Sequence, residues 1–248
     1  MRLRSLMAAA ALPLGLACSL GSLALSGCSR LPGARAAEAT YTRPDEITDF
    51  HTLYAQNCQA CHGAGGQDGP AIDLANPEFQ ALIDDASLRK WIANGMPGTE
   101  MPAFAQSAGG MLTDQQVDAL VAGMRKEWSN PSAFAGATPP PYAQVQAGNA
   151  LHGQEAYQTR CASCHQNPTR QQVTSSVYLS LVSDQALRDI IVAGRPDIHQ
   201  PDWQHDTPNG DAGQPLSPQD VTDIVTFLHS LRNPVAVSAA PTPVPLQK

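Results

Sequence analysis

A five-residue stretch occurs twice in this chain, as Cys58-Gln59-Ala60-Cys61-His62 and again as Cys161-Ala162-Ser163-Cys164-His165. Two thiols three positions apart on one helical turn reach the two vinyl groups of a single porphyrin and bond to them as thioethers. The histidine that follows then lies under the ring and offers an imidazole nitrogen to the iron. Cys-x-x-Cys-His is the attachment site of a c-type haem, so two copies predict two covalently bound haem c. Cys58, Cys61 and His62 would hold the first, and Cys161, Cys164 and His165 the second.

Other cysteine chemistries fit less well. A structural zinc site pairs two Cys-x-x-Cys hairpins about 15–20 residues apart, whereas here a whole domain separates them. A thioredoxin-like pair needs a βαβ context, and the flanking sequence offers none. Simple disulfides suit an oxidising compartment but leave the histidine after each pair unexplained. The length of 248 residues allows about two domains. A net charge of −7 argues against nucleic acid, which needs a basic face, and favours a basic docking patch on a partner.

Residues 1–28 read as an export signal. Arg2 and Arg4 form the basic start, and an apolar stretch rich in Ala, Leu and Gly follows. It ends in Leu25-Ser26-Gly27-Cys28, which resembles the lipobox of bacterial lipoproteins. That resemblance implies cleavage before Cys28 and lipid on its sulfur. Two alternatives stand beside it. One is a plain signal cut after Ala36 that leaves a soluble protein. The other is an uncleaved membrane helix, weakened by Pro13 and the glycines. No other apolar run approaches the roughly 20 residues that span a bilayer. Residues 29–43 read as a tether.

From Pro44 a helix is expected, with Ile47, Phe50, Leu53 and Tyr54 at helical spacing, running into Cys58. A glycine-rich loop over residues 63–70 follows His62. The Pro70 carbonyl is a candidate partner for the free nitrogen of His62, with an ordinary turn proline as the competing explanation. A short helix carries Leu88, Trp91 and Ile92 and stops at Gly95. Thr113 to Gln116 reads as a capping box opening a helix whose apolar stripe is Val117, Leu120, Val121, Met124 and Trp128. Residues 129–147, with Pro139-Pro140-Pro141, read as a linker partly stiffened as polyproline. The pattern then repeats. Leu187, Ile190, Ile191 and Gly194 match Leu88, Trp91, Ile92 and Gly95, and Ser217 to Asp220 opens a last helix. The tail, residues 233–248, is Pro- and Ala-rich and reads as disordered. No alternating strand pattern appears.

The order of helix, Cys-x-x-Cys-His, loop, short helix, Met-Pro segment and terminal helix resembles the class I cytochromes c, twice over. The resemblance implies an all-α chain of two tandem class I cytochrome c domains, residues 44–128 and 148–232, joined by the Pro-rich linker. It also implies histidine on one face of each iron and, most often, methionine on the other. Met101, in Met101-Pro102-Ala103-Phe104, matches the family's ligand segment, with Met96 and Met111 as lower-ranked rivals. The second half departs from the pattern. Aligning Gly95 on Gly194 puts Gln200 where Met101 stands, and no methionine follows Met124. His199, one residue away, ranks first as the second iron's ligand. His205 and an open or water-bound site come next, and His152 and His229 read as surface residues.

The expected function is a membrane-tethered dihaem cytochrome that carries single electrons between respiratory or photosynthetic redox partners. It would stand on the periplasmic side of the bacterial cell envelope, held to the membrane by lipid on Cys28. The alternative is a peroxidase-like or small-molecule-reducing enzyme with an open site at the second haem. A third possibility is a haem-bearing subunit of a larger respiratory or photosynthetic complex.

Overall fold

Helix caps, more than intrinsic propensity, mark out the elements of the computed structural model, which describes residues 41–167, 173–205 and 214–232. The expected signal and lipidation site, the tether up to residue 40 and the expected disordered tail lie outside the described residues. Asp49 accepts from the Thr52 amide at 2.9 Å and starts α1 (Phe50–Asn57). The sequence expectation of a helix from Pro44 is corrected here: Pro44–Glu46 is a single 3-10 turn. Gln116 holds that turn, donating from Nε2 to the carbonyls of Pro44 at 2.8 Å and Ile47 at 2.9 Å. α2 (Gln59–His62) contains the first haem motif. α3 (Pro77–Leu82), capped by Asn76, was not foreseen from the sequence, because six residues are too few to show periodicity. α4 (Asp85–Asn94) is capped by Asp84, and α5 (Asp114–Trp128) opens with the capping box of Thr113 and Gln116.

The second half repeats this order with α6 (Ala150–Arg160), α7 (Ala162–His165), α8 (Ser176–Leu181), α9 (Asp184–Ala193) and α10 (Pro218–Ser230). Ser217 and Asp220 form the second capping box. Among the described residues there are no strands, only two isolated bridges. The architecture is all-α. No described helix is long and apolar enough to cross a membrane.

Each half packs its first helix across its last, α1 on α5 and α6 on α10. The first core gathers Leu53, Tyr54, Leu88, Ile92, Val117, Leu120 and Met124, all buried. The second gathers Tyr157, Leu179, Leu187, Val192, Val221, Ile224 and Leu228. One arginine closes each half in the same way. Arg125 pairs with Asp85 at 2.7 Å and donates to the Gln80 and Ile83 carbonyls. Arg232 pairs with Asp184 at 2.6 Å and donates to the Leu179 carbonyl at 2.9 Å and the Val182 carbonyl at 2.5 Å.

The halves are not separate bodies, since Pro44–Lys248 groups as one compact unit. Ala193, at the end of α9, belongs to the first core, while Leu82 of α3 packs on the second. The Asn76 side chain crosses the seam to the Ala193 carbonyl at 2.8 Å. Residues 129–147 are mostly exposed, but the middle of the segment packs on both halves. Pro140 is fully buried, and the Tyr142 hydroxyl accepts from Trp91 Nε1 at 2.6 Å. Gln185 Nε2 donates to the Tyr142 carbonyl at 2.8 Å, and Arg188 Nε to the Pro141 carbonyl at 2.8 Å.

The α6–α10 crossing depends on Gly153, where an added Cβ would fall 1.9 Å from the Asp223 carbonyl oxygen. In an exposed helix, Gly→Ala gains about 0.5–1 kcal/mol. Here a backbone atom stands in the way, and overpacking of this kind costs about 1–3 kcal/mol. Gly153→Ala is therefore expected to lower the denaturant midpoint of the holo-protein without changing the slope of the transition.

Candidate functional site

Tyr54 and Tyr157 each stand four residues before their first cysteine, buried at the end of α1 and α6. The cysteine amides, Cys58 N–H to the Tyr54 carbonyl and Cys161 N–H to the Tyr157 carbonyl, continue each helix into the motif at 2.8 and 2.9 Å. A kink follows at once, with φ −119° at Cys58 and −116° at Cys161. Both motifs are then single helical turns, α2 and α7, which is the conformation that places two thiols and an imidazole on one side. Burial pushes the Cys58 thiol up to about 12.

His62 is buried and its Nδ1 lies 2.8 Å from the Ile72 carbonyl. A carbonyl can only accept, so Nδ1 carries the proton and Nε2 keeps the lone pair that ligates iron. Ile72, not Pro70, is therefore the carbonyl that fixes the ring. Two further residues of chain let the glycine-rich turn close before the carbonyl comes round. Burial is the main cause that holds the His62 pKa below its ordinary value, with Ile72 opposing and the Arg195 charge adding to it. The neutral imidazole is the ligating form. His165 is half-buried, and residues 168–172, which follow its motif, lie outside the described residues.

The segments that follow α4 and α9, here called distal, share one hydrogen bond at their base. Gly95 and Gly194 end α4 and α9 at φ 69° and 71°. The Met96 amide bonds to the Met101 carbonyl at 3.0 Å, and the Arg195 amide to the Gln200 carbonyl at 3.0 Å. The backbone thus puts Gln200 in the place of Met101. At both glycines a Cβ would meet the backbone of this segment, at 2.6 Å for Gly95 and 2.9 Å for Gly194. Met101 is half-buried. Among the other methionines of this region, the Met96 sulfur accepts from Ser183 Oγ at 2.9 Å, and Met111 is 82% exposed.

The histidines of the second half differ in engagement. His152 is tied to the buried Asp223 at 2.6 Å, His229 to Asp184 at 2.9 Å and His205 to Asp202 at 2.9 Å. His199 is exposed and sits in the left-handed region at φ 62°. Trp203 Nε1 is buried with no acceptor among the described residues. A buried donor of this kind suits a bound group with carboxylates, as haem has. Donor set, tautomer and orphaned donor all fit haem at these motifs. When bound, the haem iron supplies a one-electron couple.

Two tandem cytochrome c domains make this chain a dihaem class I c-type cytochrome. Residues 45–122 match the family of cbb3-type cytochrome c oxidase subunit III, and residues 150–232 match the cytochrome c family. A dihydro-haem d1 dehydrogenase of Pseudomonas aeruginosa is 46% identical over 72 residues, 28% of this chain and 13% of that protein. The cbb3-type cytochrome c oxidase subunit CcoP of an Azospirillum species is 30% identical over 132 residues, 46% of this chain and 37% of that one. The chain therefore spans well under half the length of either curated relative. Among solved structures, a dihydro-haem d1 dehydrogenase shares 35% identity at a TM-score of 0.28, over 38% of this chain and 18% of that one. A chain of the reducing HAO-like protein complex of Kuenenia stuttgartiensis shares 18% identity at a TM-score of 0.44, over 78% of this chain and all of that one. Both scores are too low to establish a common overall arrangement.

A cleft of about 290 Å³ opens on the seam beside the distal segment, lined by Asn76, Glu78, Ala193, Gln200 and Asp202. Burial pushes the Glu78 carboxyl up to about 7, with the Asp202 carboxylate adding and His205 opposing. An unfolded glutamate ionises near 4.5, so the folded protein holds this proton over a wider range. The stability Glu78 contributes is full below that value and is lost as the pH rises through about 7. Glu78→Gln, which cannot ionise, should melt close to wild type near pH 4.5 and increasingly above it towards about pH 8, as read by circular dichroism.

Proposed function

We propose that this protein is an electron carrier, tethered to the membrane by lipid on Cys28 and facing the periplasm of a bacterial cell. It passes single electrons through two haems of unequal potential. Two attachment motifs held in one compact unit carry this reading, because a pair of fixed centres is what a relay requires. The likeness to a cbb3-type oxidase subunit supports a respiratory complex as partner. The net charge of −7 supports a basic docking patch on it.

The inequality follows from the ligands. Met101 is the sixth ligand of the first iron and His199 the leading ligand of the second. Thioether is a weaker donor than imidazole and favours ferrous iron, so the first haem has the higher potential. Electrons entering the second half then run downhill to the first. Met101→His is expected to abolish the near-infrared sulfur-to-iron band of the ferric protein and bring the two potentials together. His199→Ala is expected to turn the second haem high-spin and leave that band in place. If redox titration gives the second half the higher potential, the direction of flow is reversed.

The presence of Gln200 at the position of Met101 favours one other reading, an open second haem that reduces a small molecule. Electron paramagnetic resonance of the ferric protein separates the two. Two low-spin centres support the relay, and one high-spin centre in wild type supports the enzyme. The anchor has its own test. Cys28→Ser is expected to release the protein from membranes or block its processing, since acyl chains supply the burial that holds it. Wild-type protein that is soluble without detergent and begins near Ala37 would refute the anchor.

A further inference from the structure

A buried charge pair lies on the seam between the halves. Arg195 is the first residue after Gly194, in the distal segment of the second half. Its main chain is clamped to Gln200 by two hydrogen bonds, N–H to carbonyl at 3.0 Å and carbonyl to N–H at 2.9 Å. Its guanidinium grips Asp197 with both arms, Nε to Oδ1 at 2.8 Å and Nη2 to Oδ2 at 2.6 Å. The two side chains are only 7% and 1% exposed.

The same pair reaches across the seam. Arg195 Nη2 also donates to the Gly69 carbonyl at 3.0 Å, and Asp197 Oδ2 accepts from the Asp68 amide at 3.1 Å. Asp68 and Gly69 belong to the loop that follows His62. That loop is held to the first haem motif by the Ala71 amide on the Cys61 carbonyl at 3.0 Å, and to the His62 ring through Ile72. Asp73, 2% exposed, lies in the same loop, with Oδ1 bonded to no described residue. The pair thus joins the segment of the second half that carries His199 and Gln200 to the loop of the first half that holds the His62 ring. A buried ion pair adds little net stability, but its charges act on their surroundings with little screening.

We infer that Arg195 and Asp197 are positioning residues that set the reduction potentials of both haem centres from the seam between them. A positive charge at this place opposes ferric iron and raises a potential. A negative charge does the reverse. Intact, the two nearly cancel, and each potential is held between the values that either charge alone would impose. The inference rests on haem at the two Cys-x-x-Cys-His motifs and not on the sixth ligands. A different sixth ligand changes the starting potentials, visible in the wild-type spectra, and not the signs below.

The test is spectroelectrochemical titration of the full-length dihaem protein as wild type, Arg195→Gln, Asp197→Asn and the double variant. Arg195→Gln leaves the aspartate unopposed, and both potentials are expected to fall. Asp197→Asn leaves the guanidinium unopposed, and both are expected to rise. Each shift should be on the order of tenfold in the ferric-to-ferrous ratio at a fixed electrode potential, about 59 mV for a one-electron couple. The double variant should return close to wild type, and Arg195→Lys should shift far less than Arg195→Gln because it keeps the charge. A merely structural clasp would move both single variants in the same direction. That result, or no shift in either, overturns the inference. If Arg195→Gln does not accumulate as holo-protein, Asp197→Asn decides alone: a rise supports the inference, and a fall or no change overturns it.

Discussion

The hydrogen bond between His62 Nδ1 and the Ile72 carbonyl is the constraint on which the rest of this molecule turns. It chooses the tautomer, so that the other ring nitrogen keeps its lone pair for iron. It also draws residues 63–72 into one closed loop, pinned a second time by Ala71 on the Cys61 carbonyl. The second half docks against the outside of that loop through Arg195 and Asp197, and beside it through Asn76. Ligand orientation and domain docking therefore share a single piece of backbone.

Repetition with divergence gives the two centres their difference. The scaffold is copied closely. Cap, glycine stop, distal hydrogen bond and closing arginine recur in both halves, Asp85 with Arg125 in one and Asp184 with Arg232 in the other. What differs is the side chain presented on that scaffold, a thioether at Met101 and an amide at Gln200. A thioether is a competent iron ligand and an amide a poor one. The repeated frame thus presents a different side chain in each half at this position.

Between the copies, the middle of the segment 129–147 forms part of the interface. A Pro-rich segment is already short of conformational freedom, so little further entropy is lost when it is laid against a surface. Pro140 is buried, and Tyr142 touches Trp91 of the first half and Gln185 of the second. These contacts tie the segment to both halves of the unit.

Legible in the sequence alone were the haem motifs, the all-α class, the capping box at Thr113, the duplication and the equivalence of Gln200 with Met101. Each of these is local: a spacing of a few residues, or a period that shows within one helix. Helix α3 was too short to reveal a period, and the start of α1 at Phe50 depended on an Asp49 cap that competed with an apolar pattern beginning earlier. That Ile72 rather than Pro70 orients His62 emerges only in the folded chain, because a loop rich in glycine has many ways to close. Only the folded chain reveals the matched Arg125 and Arg232 closures, the packed middle of the linker and the Arg195–Asp197 pair across the seam. Those contacts join residues from about 40 to about 130 positions apart. At such separations no periodicity or spacing records a contact, and only the folding of both halves onto each other creates it.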